Sequence, residues 1–293
     1  MNRRQFLIRS SLLAAGTALP FKSLFARTAG KFVLLRRNVG YFTEQGGTIG
    51  WLASPDAMVI VDSQFPESAK QCLNGLRDKT SHPLDLLINT HHHNDHTSGN
   101  PVFKGVAEKM VAHQNVPKLM KEFEGGTDAY PTTTFSESWQ MQAGDETVHT
   151  NYYGAGHTSG DSVIYFEKAN VVHTGDLVFN RMNPYTDRPA GASITHWVKV
   201  LEAIENEYPA DAQYIFGHGK PEYGITGTKE DVAVMRKYLS AMVDYVKEGI
   251  EQGKSKEEIT DIKVLPGFEN FLYADFWTLP KNLEVVYLEV TGA

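Results

Sequence analysis

The residues best able to do chemistry stand together in Thr90-His91-His92-His93-Asn94-Asp95-His96. The pattern His-x-His-x-Asp-His gathers ligand-type side chains into one short stretch. His91 and His93 are two apart, so in an extended segment they point to the same side. Neutral imidazole and carboxylate suit zinc, and also iron. Asp95 and His96 follow where the chain must turn, and a reversing loop would aim them at a second metal beside the first. Three later elements deliver the same residue types: Gly156-His157-Thr158, His173-Thr174-Gly175-Asp176 and Gly217-His218-Gly219. Clusters of His and Asp at the ends of apolar runs mark metal or catalytic sites.

Those runs are the elements that must position the donors. Leu84–Asn89 reads as a buried strand leading into the histidine cluster. Ser162–Phe166 and Asn170–Thr174 flank a turn at Lys168-Ala169, and Gln213–Phe216 is a further strand. Upstream, Val33–Tyr41 reads as one edge strand, and Thr48–Ala53 with Ala57–Asp62 as a hairpin about Ser54-Pro55-Asp56. Val106–Ala112 and Thr147–Tyr153 read as strands too. Helices are expected over Ser68–Lys79, Ser193–Tyr208 and Lys229–Gln252, where apolar residues recur at helical spacing. Ser255-Lys256-Glu257-Glu258 has capping-box form. Lys121–Ser138, with Gly125-Gly126 and Pro131, reads as an irregular insertion.

The 293 residues carry a formal charge of −7, with 41% hydrophobic and 22% charged residues. A packed core is expected, and the acidic balance argues against a nucleic-acid partner. The single cysteine, Cys72, excludes an intrachain disulfide and a Cys-rich zinc module, and its helical position makes it a core residue. No Ser/His/Asp triad has comparable support. The opening Asn2-Arg3-Arg4-Gln5-Phe6-Leu7-Ile8, the uncharged stretch Ser10–Phe21 and the lack of any acid before Glu44 resemble a twin-arginine export signal. That stretch is too short to span a bilayer. The expectation is a signal over 1–26, transient contact with the twin-arginine machinery, a periplasmic destination, no stable membrane span, and a catalytic domain over 27–293.

Taken in order, these motifs resemble the metallo-β-lactamase superfamily over essentially all of residues 32–293. The resemblance implies an α+β fold, a four-layer αββα sandwich with the site along one edge. It implies a first metal held by His91, His93 and His157, a second by Asp95, His96 and His218, and Asp176 bridging them. Two zinc ions ~3.5–4 Å apart can share a hydroxide and lower the pKa of bound water to about 7. Asp95 would orient that nucleophile as well as bind metal. The expected activity is hydrolysis of a small ester, thioester, lactone or related amide. At the bridging position β-lactamases of the family usually carry Cys or Ser, so Asp176 resembles the glyoxalase II and lactonase branches instead. β-Lactam hydrolysis, an iron-dependent persulfide dioxygenase and a non-catalytic metal scaffold stay open as alternatives. Family analogy puts Gln64, Phe65, Arg181, Asn183, Tyr185 and Arg188 near substrate and makes Tyr130–Trp139 a flap. His92 is expected to face away from the metals, His113 to be packed, His173 to support the site, and Asp161 to orient a ligand. His82, His149 and His196 have no evident partner.

Overall fold

The computed structural model describes residues 30–123, 129–273 and 277–292, so the export-type segment 1–26 lies outside the described residues. Seven strands form the first sheet in chain order: β1 (Lys31–Arg36), β2 (Val39–Thr43), β3 (Ile49–Ser54), β4 (Ala57–Val61), β5 (Leu86–Ile88), β6 (Lys109–His113) and β7 (Thr133–Phe135). The first four are antiparallel, and β4 to β7 run parallel. Next come β8 (Ser138–Ala143), β9 (Glu146–Asn151), β10 (Val163–Phe166), β11 (Val171–His173), β12 (Phe179–Asn180), β13 (Gln213–Ile215), β14 (His218–Gly219) and β15 (Thr226–Gly227). The second sheet has the order β15-β13-β11-β10-β9-β8, while β12 and β14 form a separate parallel pair. The helices are α1 (Pro66–Arg77), α2 (Asn94–Thr97), α3 (Asn100–Phe103), α4 (Val116–Phe123), α5 (Ile194–Glu207), α6 (Lys229–Glu251), α7 (Lys256–Thr260) and α8 (Leu279–Thr291).

Side-chain alternation along the strands sorts the core into layers. Val59 and Val61 of β4 meet Ile164, Phe166 and Ile215 between the two sheets. Met58 and Ile60, the alternate residues of β4, pack with Ala69, Cys72 and Leu76 of α1 on the outer face. On the far side, Val163, Val172 and Tyr214 meet Trp197 and Leu201 of α5, Leu239 of α6 and Leu283 of α8. Helix, sheet, sheet, helix is therefore the order of layers, as expected. Each fully buried aliphatic side chain contributes roughly 1.5–3 kcal/mol relative to exposure.

Three expectations need correction. Val33–Tyr41 is a hairpin, β1 and β2, because Arg37 takes a left-handed conformation (φ 51°) and turns the chain. The stretch Lys121–Ser138 is largely built into the fold: Phe123 ends α4, Thr133–Phe135 pairs with β6, and Ser138 opens β8. Tyr130–Trp139 is consequently no flap, since Phe135 is buried between the sheets and Tyr130 packs on Val116 and Met120. Residues 124–128 of that stretch lie outside the described residues. Among the described residues, no helix is long and apolar enough to cross a membrane.

The parallel pairs fix where the donors emerge. β4 ends at Asp62 and β5 at the histidine cluster, both on one edge of the first sheet. β11 ends at Asp176 and β13 at His218, both on one edge of the second.

Candidate metal centre

All seven donors expected from the sequence converge at that edge, in two groups. In the first, His91 Nε2 and His93 Nδ1 approach to 3.1 Å, and His157 Nε2 lies 2.9 Å from His93 Nδ1. Asp176 Oδ2 completes it, 3.8 Å from His91 Nε2 and 3.5 Å from His157 Nε2. In the second, His218 Nε2 is 3.1 Å from Asp95 Oδ2, and His96 Nε2 is 3.7 Å from the same oxygen. Asp176 joins the groups: its Oδ1 lies 3.1 Å from His96 Nε2 and its Oδ2 lies 3.4 Å from His218 Nε2.

Each element places its donors for a local reason. After β5 the chain bends at Thr90 and His91 and then coils into α2 after His93, so Asp95 and His96 follow His91 and His93 on the turn. Asp176 sits in a single 3-10 turn, Gly175–Leu177, that stops β11. The Gly175 N–H donates to His173 Nδ1, and the other ring nitrogen of His173 donates to the Thr48 carbonyl at 3.1 Å. His173 thus supports the turn from below. Gly217 precedes His218, and a methyl group there would fall on Asp176 Oδ1. A methyl at Gly47 would strike the His96 ring.

The far nitrogens decide which way the imidazole lone pairs face. His96 Nδ1 donates to Asp62 Oδ2 at 2.7 Å. Thr90 Oγ1 also donates to Asp62 Oδ2 and so can accept from His91 Nδ1 at 3.0 Å. His93 Nε2 donates to Asp187 Oδ2 at 2.9 Å, and His157 Nδ1 donates to the Tyr185 carbonyl at 2.7 Å. In its neutral form each of these four rings therefore turns its lone pair toward the centre. The sequence reading missed Asp62 and Asp187. Asp161, expected to orient a ligand, instead accepts from the backbone of Gly156 and Thr158 and from Thr158 Oγ1, so it shapes the loop around His157.

Charge divides between the groups. Burial lowers His157 to about 3 and, with His96 beside it, lowers His91 as well, so both stay neutral. His218 is buried too, but the carboxylates of Asp176 and Asp95 outweigh that and raise it to about 9. Burial likewise opposes the charged form of His96, and Asp176, Asp95 and Asp62 overcome it. Asp95 is lowered to about 2 against the cost of burial, by His96 and His218.

The arrangement fits a metal. In a tetrahedral zinc site with bonds of ~2.0–2.1 Å, neighbouring donors are about 3.3 Å apart, which the separations above bracket. His96 Nε2 and Asp176 Oδ1 are buried 3.1 Å apart without hydrogen-bond geometry, and a cation held by both would satisfy them. Within each group the donor atoms all lie within 4.8 Å of one another.

Other candidates fall elsewhere. His92 is buried outside both groups, as expected, with its Nε2 3.5 Å from Asp187 Oδ2. His113 stacks on Tyr152. His82 pairs with Asp85, His149 with Glu167, and His196 donates to the Ala155 carbonyl. Gln64 is buried against Gly47, Arg181 pairs with Asp231, and Asn183 is tied to Trp277, Tyr238 and Asn282. Of the proposed wall residues, Tyr185 lines the cavity of about 390 Å³ in front of the donors, together with Phe179 and Met182.

Comparison with known proteins places this geometry among relatives. The family model described as the metallo-beta-lactamase superfamily matches residues 43–218. The chain is 20% identical over 177 residues to a metallo-beta-lactamase type 2 of Elizabethkingia meningoseptica, covering 60% of this chain and 70% of the relative. Among solved structures, a metallo-beta-lactamase from Pontibacter korlensis is 19% identical with a TM-score of 0.60, covering 72% of this chain and 99% of its own. A stereoselective inverting sec-alkylsulfatase from Pseudomonas sp. is 14% identical with a TM-score of 0.71 and matches 90% of this chain, which spans only 50% of that enzyme.

Two outcomes are expected. Asp187→Ala removes the acceptor for His93 Nε2 and should weaken zinc affinity about 10- to 100-fold in chelator competition, while His149→Ala, remote from the centre, leaves it unchanged. At pH 7 His96 and His218 carry protons in the metal-free protein, because both are held above the ordinary imidazole range. Zinc needs their lone pairs, so its uptake should release protons into weak buffer. Affinity should weaken as pH falls through about 9, the value reached by His218. Uptake without proton release would contradict this.

Proposed function

The chain belongs to the metallo-beta-lactamase superfamily, and from that premise we propose that it is a dinuclear zinc-dependent hydrolase of a small-molecule ester, thioester, lactone or related amide. The observation that carries this reading is Asp176, whose two oxygens reach donors of both groups. His91, His93 and His157 would hold one zinc, Asp95, His96 and His218 the other, with Asp176 between them. Bound there, zinc supplies a Lewis acid and a water that ionises near neutral pH.

The rest is the work of the chain's own residues. Asp95 borders the cavity and is ionised at neutral pH, so its carboxylate can accept a hydrogen bond from the attacking water and hold it in line. Asp62, Thr90, Asp187 and the Tyr185 carbonyl fix the ring orientations before substrate arrives, which avoids reorganisation during the reaction. Phe179, Met182 and Tyr185 wall the cavity beside the donors. β-Lactam hydrolysis is the second reading, favoured by the relatives named as metallo-beta-lactamases. Asp176, where such enzymes usually carry Cys or Ser, places it behind esters and lactones.

Metal analysis of purified protein should find about two zinc ions per chain. A single iron would favour an oxygenase instead. Asp176→Ala should deplete one zinc and reduce turnover on a panel of thioesters, lactones, esters and β-lactams by at least about 100-fold. Unchanged metal content would remove Asp176 from the centre. We also propose that residues 1–26 direct the folded protein through the twin-arginine route to the periplasm. The support is Arg3-Arg4 before an uncharged Leu- and Ala-rich stretch. A folded reporter fused to 1–26 should be exported, and Arg3→Lys with Arg4→Lys should stop it; export indifferent to that change would refute the assignment.

A further inference from the structure

The cavity in front of the donors has a chemical character that the reaction class leaves open. Beyond the donors its lining is the exposed Asn94 and an apolar, aromatic wall of Phe179, Met182 and Tyr185. Tyr185 is braced by Trp277, ring centroids 4.5 Å apart. The backbone of Met182 is bridged to that of Leu272, an apolar residue that is 38% exposed. No Lys or Arg lines the cavity among the described residues. Two cations on the flanking segments, Arg181 and Lys220, are engaged elsewhere. The Arg181 guanidinium is ion-paired with Asp231 at 3.1 Å and lies against the Tyr223 ring. Lys220 Nζ donates to the Asn270 carbonyl at 2.9 Å.

We propose that the substrate is an uncharged, lipophilic ester or lactone, whose apolar group lies along Phe179, Met182 and Tyr185. This rests on the hydrolase reading of the same centre and narrows it. A pendant carboxylate or sulfate on that wall would lose its hydration with no Lys or Arg to replace it, whereas an alkyl chain gains from leaving water. In the reaction, water adds to the acyl carbon and the acyl–oxygen bond breaks. The departing oxygen takes a proton from that water, giving an acid and an alcohol, or a hydroxy acid from a lactone.

The test uses the zinc-loaded full chain and p-nitrophenyl esters of straight-chain acids from butanoate to decanoate. Each is matched with a monoester of a dicarboxylic acid of equal length, and dodecyl sulfate is the anionic alkyl control. Expected is a kcat/KM that rises about two- to fourfold per methylene until the wall is covered. Carboxylate-bearing partners should fall about tenfold or more below neutral ones, and dodecyl sulfate should be cleaved more slowly than the neutral esters. Binding of neutral N-alkyl pyrrolidinones, whose unstrained amide resists hydrolysis far more than an ester, should show the same chain-length trend by calorimetry. Leu272→Lys and Met182→Lys should each shift preference toward the carboxylate-bearing esters; Leu272 is the surface position and keeps the test valid if the Met182 variant does not fold.

A flat chain-length dependence, or preference for the anionic partners, overturns the proposal while leaving the hydrolase reading intact. Absence of cleavage with lactam binding that still grows with chain length sinks the hydrolase reading and supports the lipophilic cavity.

Discussion

Asp62 holds this centre together from outside it. Its carboxylate is fully buried and accepts three hydrogen bonds: Thr90 N to Oδ1, and Thr90 Oγ1 and His96 Nδ1 to Oδ2, each at 2.7 Å. Through Thr90 it also reaches His91. One carboxylate at the end of β4 therefore sets the orientation of a ring in each donor group. It occupies the left-handed region (φ 65°), which Asp tolerates better than most residues. Its own N–H donates to the Ile88 carbonyl, and Ser63 N donates to the His96 carbonyl, so backbone bonds lock the same corner. Removing the carboxylate would leave buried donors unsatisfied and free two imidazoles to rotate, a large cost at a site that depends on lone-pair direction.

The split in charge follows from how the carboxylates are distributed. In the three-histidine group the carboxylate that acts on His91 and His157 is Asp176 alone, and burial wins there, so both stay neutral with lone pairs available. The other group adds Asp95 and, behind His96, Asp62, and the buried negative charge is balanced by protons on His96 and His218. A dication entering the second group exchanges with those protons and keeps the charge nearly balanced. Buried carboxylates without such partners would be driven to neutrality.

Local chemistry was the legible part of the sequence. His91 to His96 sit in one short stretch, and the runs that end at Asp176 and His218 are apolar enough to read as strands. Asp62 and Asp187 were not legible, because an acid after a strand looks the same whether it ends a turn or holds a ligand ring. Only the fold brings Asp62 to His96 and Asp187 to His93. Strands β1 and β2 merged in the reading because Arg37 turns the chain without the glycine that usually signals a left-handed position. Strand β7 is three residues long, too short for an alternation to stand out. Helix α8 gave no motif, yet its Asn282 bonds Asn183, the Pro184 carbonyl and Thr186, which steadies the loop carrying Tyr185 and Asp187.

The donors come from both sheets: His91 through His96 leave the first, while His157, Asp176 and His218 leave the second. The centre is therefore a clasp across the seam of the sandwich. An unfolded chain presents only the short histidine segment, a weak and partial ligand, because the other three donors are far along the chain and closing such loops costs entropy. The complete set exists only once the sheets have docked. A cation that prefers the complete set binds the folded state selectively and stabilises it by mass action. Loss of that cation would then be felt as a loosening of one half of the molecule against the other, well before either sheet lost its own hydrogen bonds.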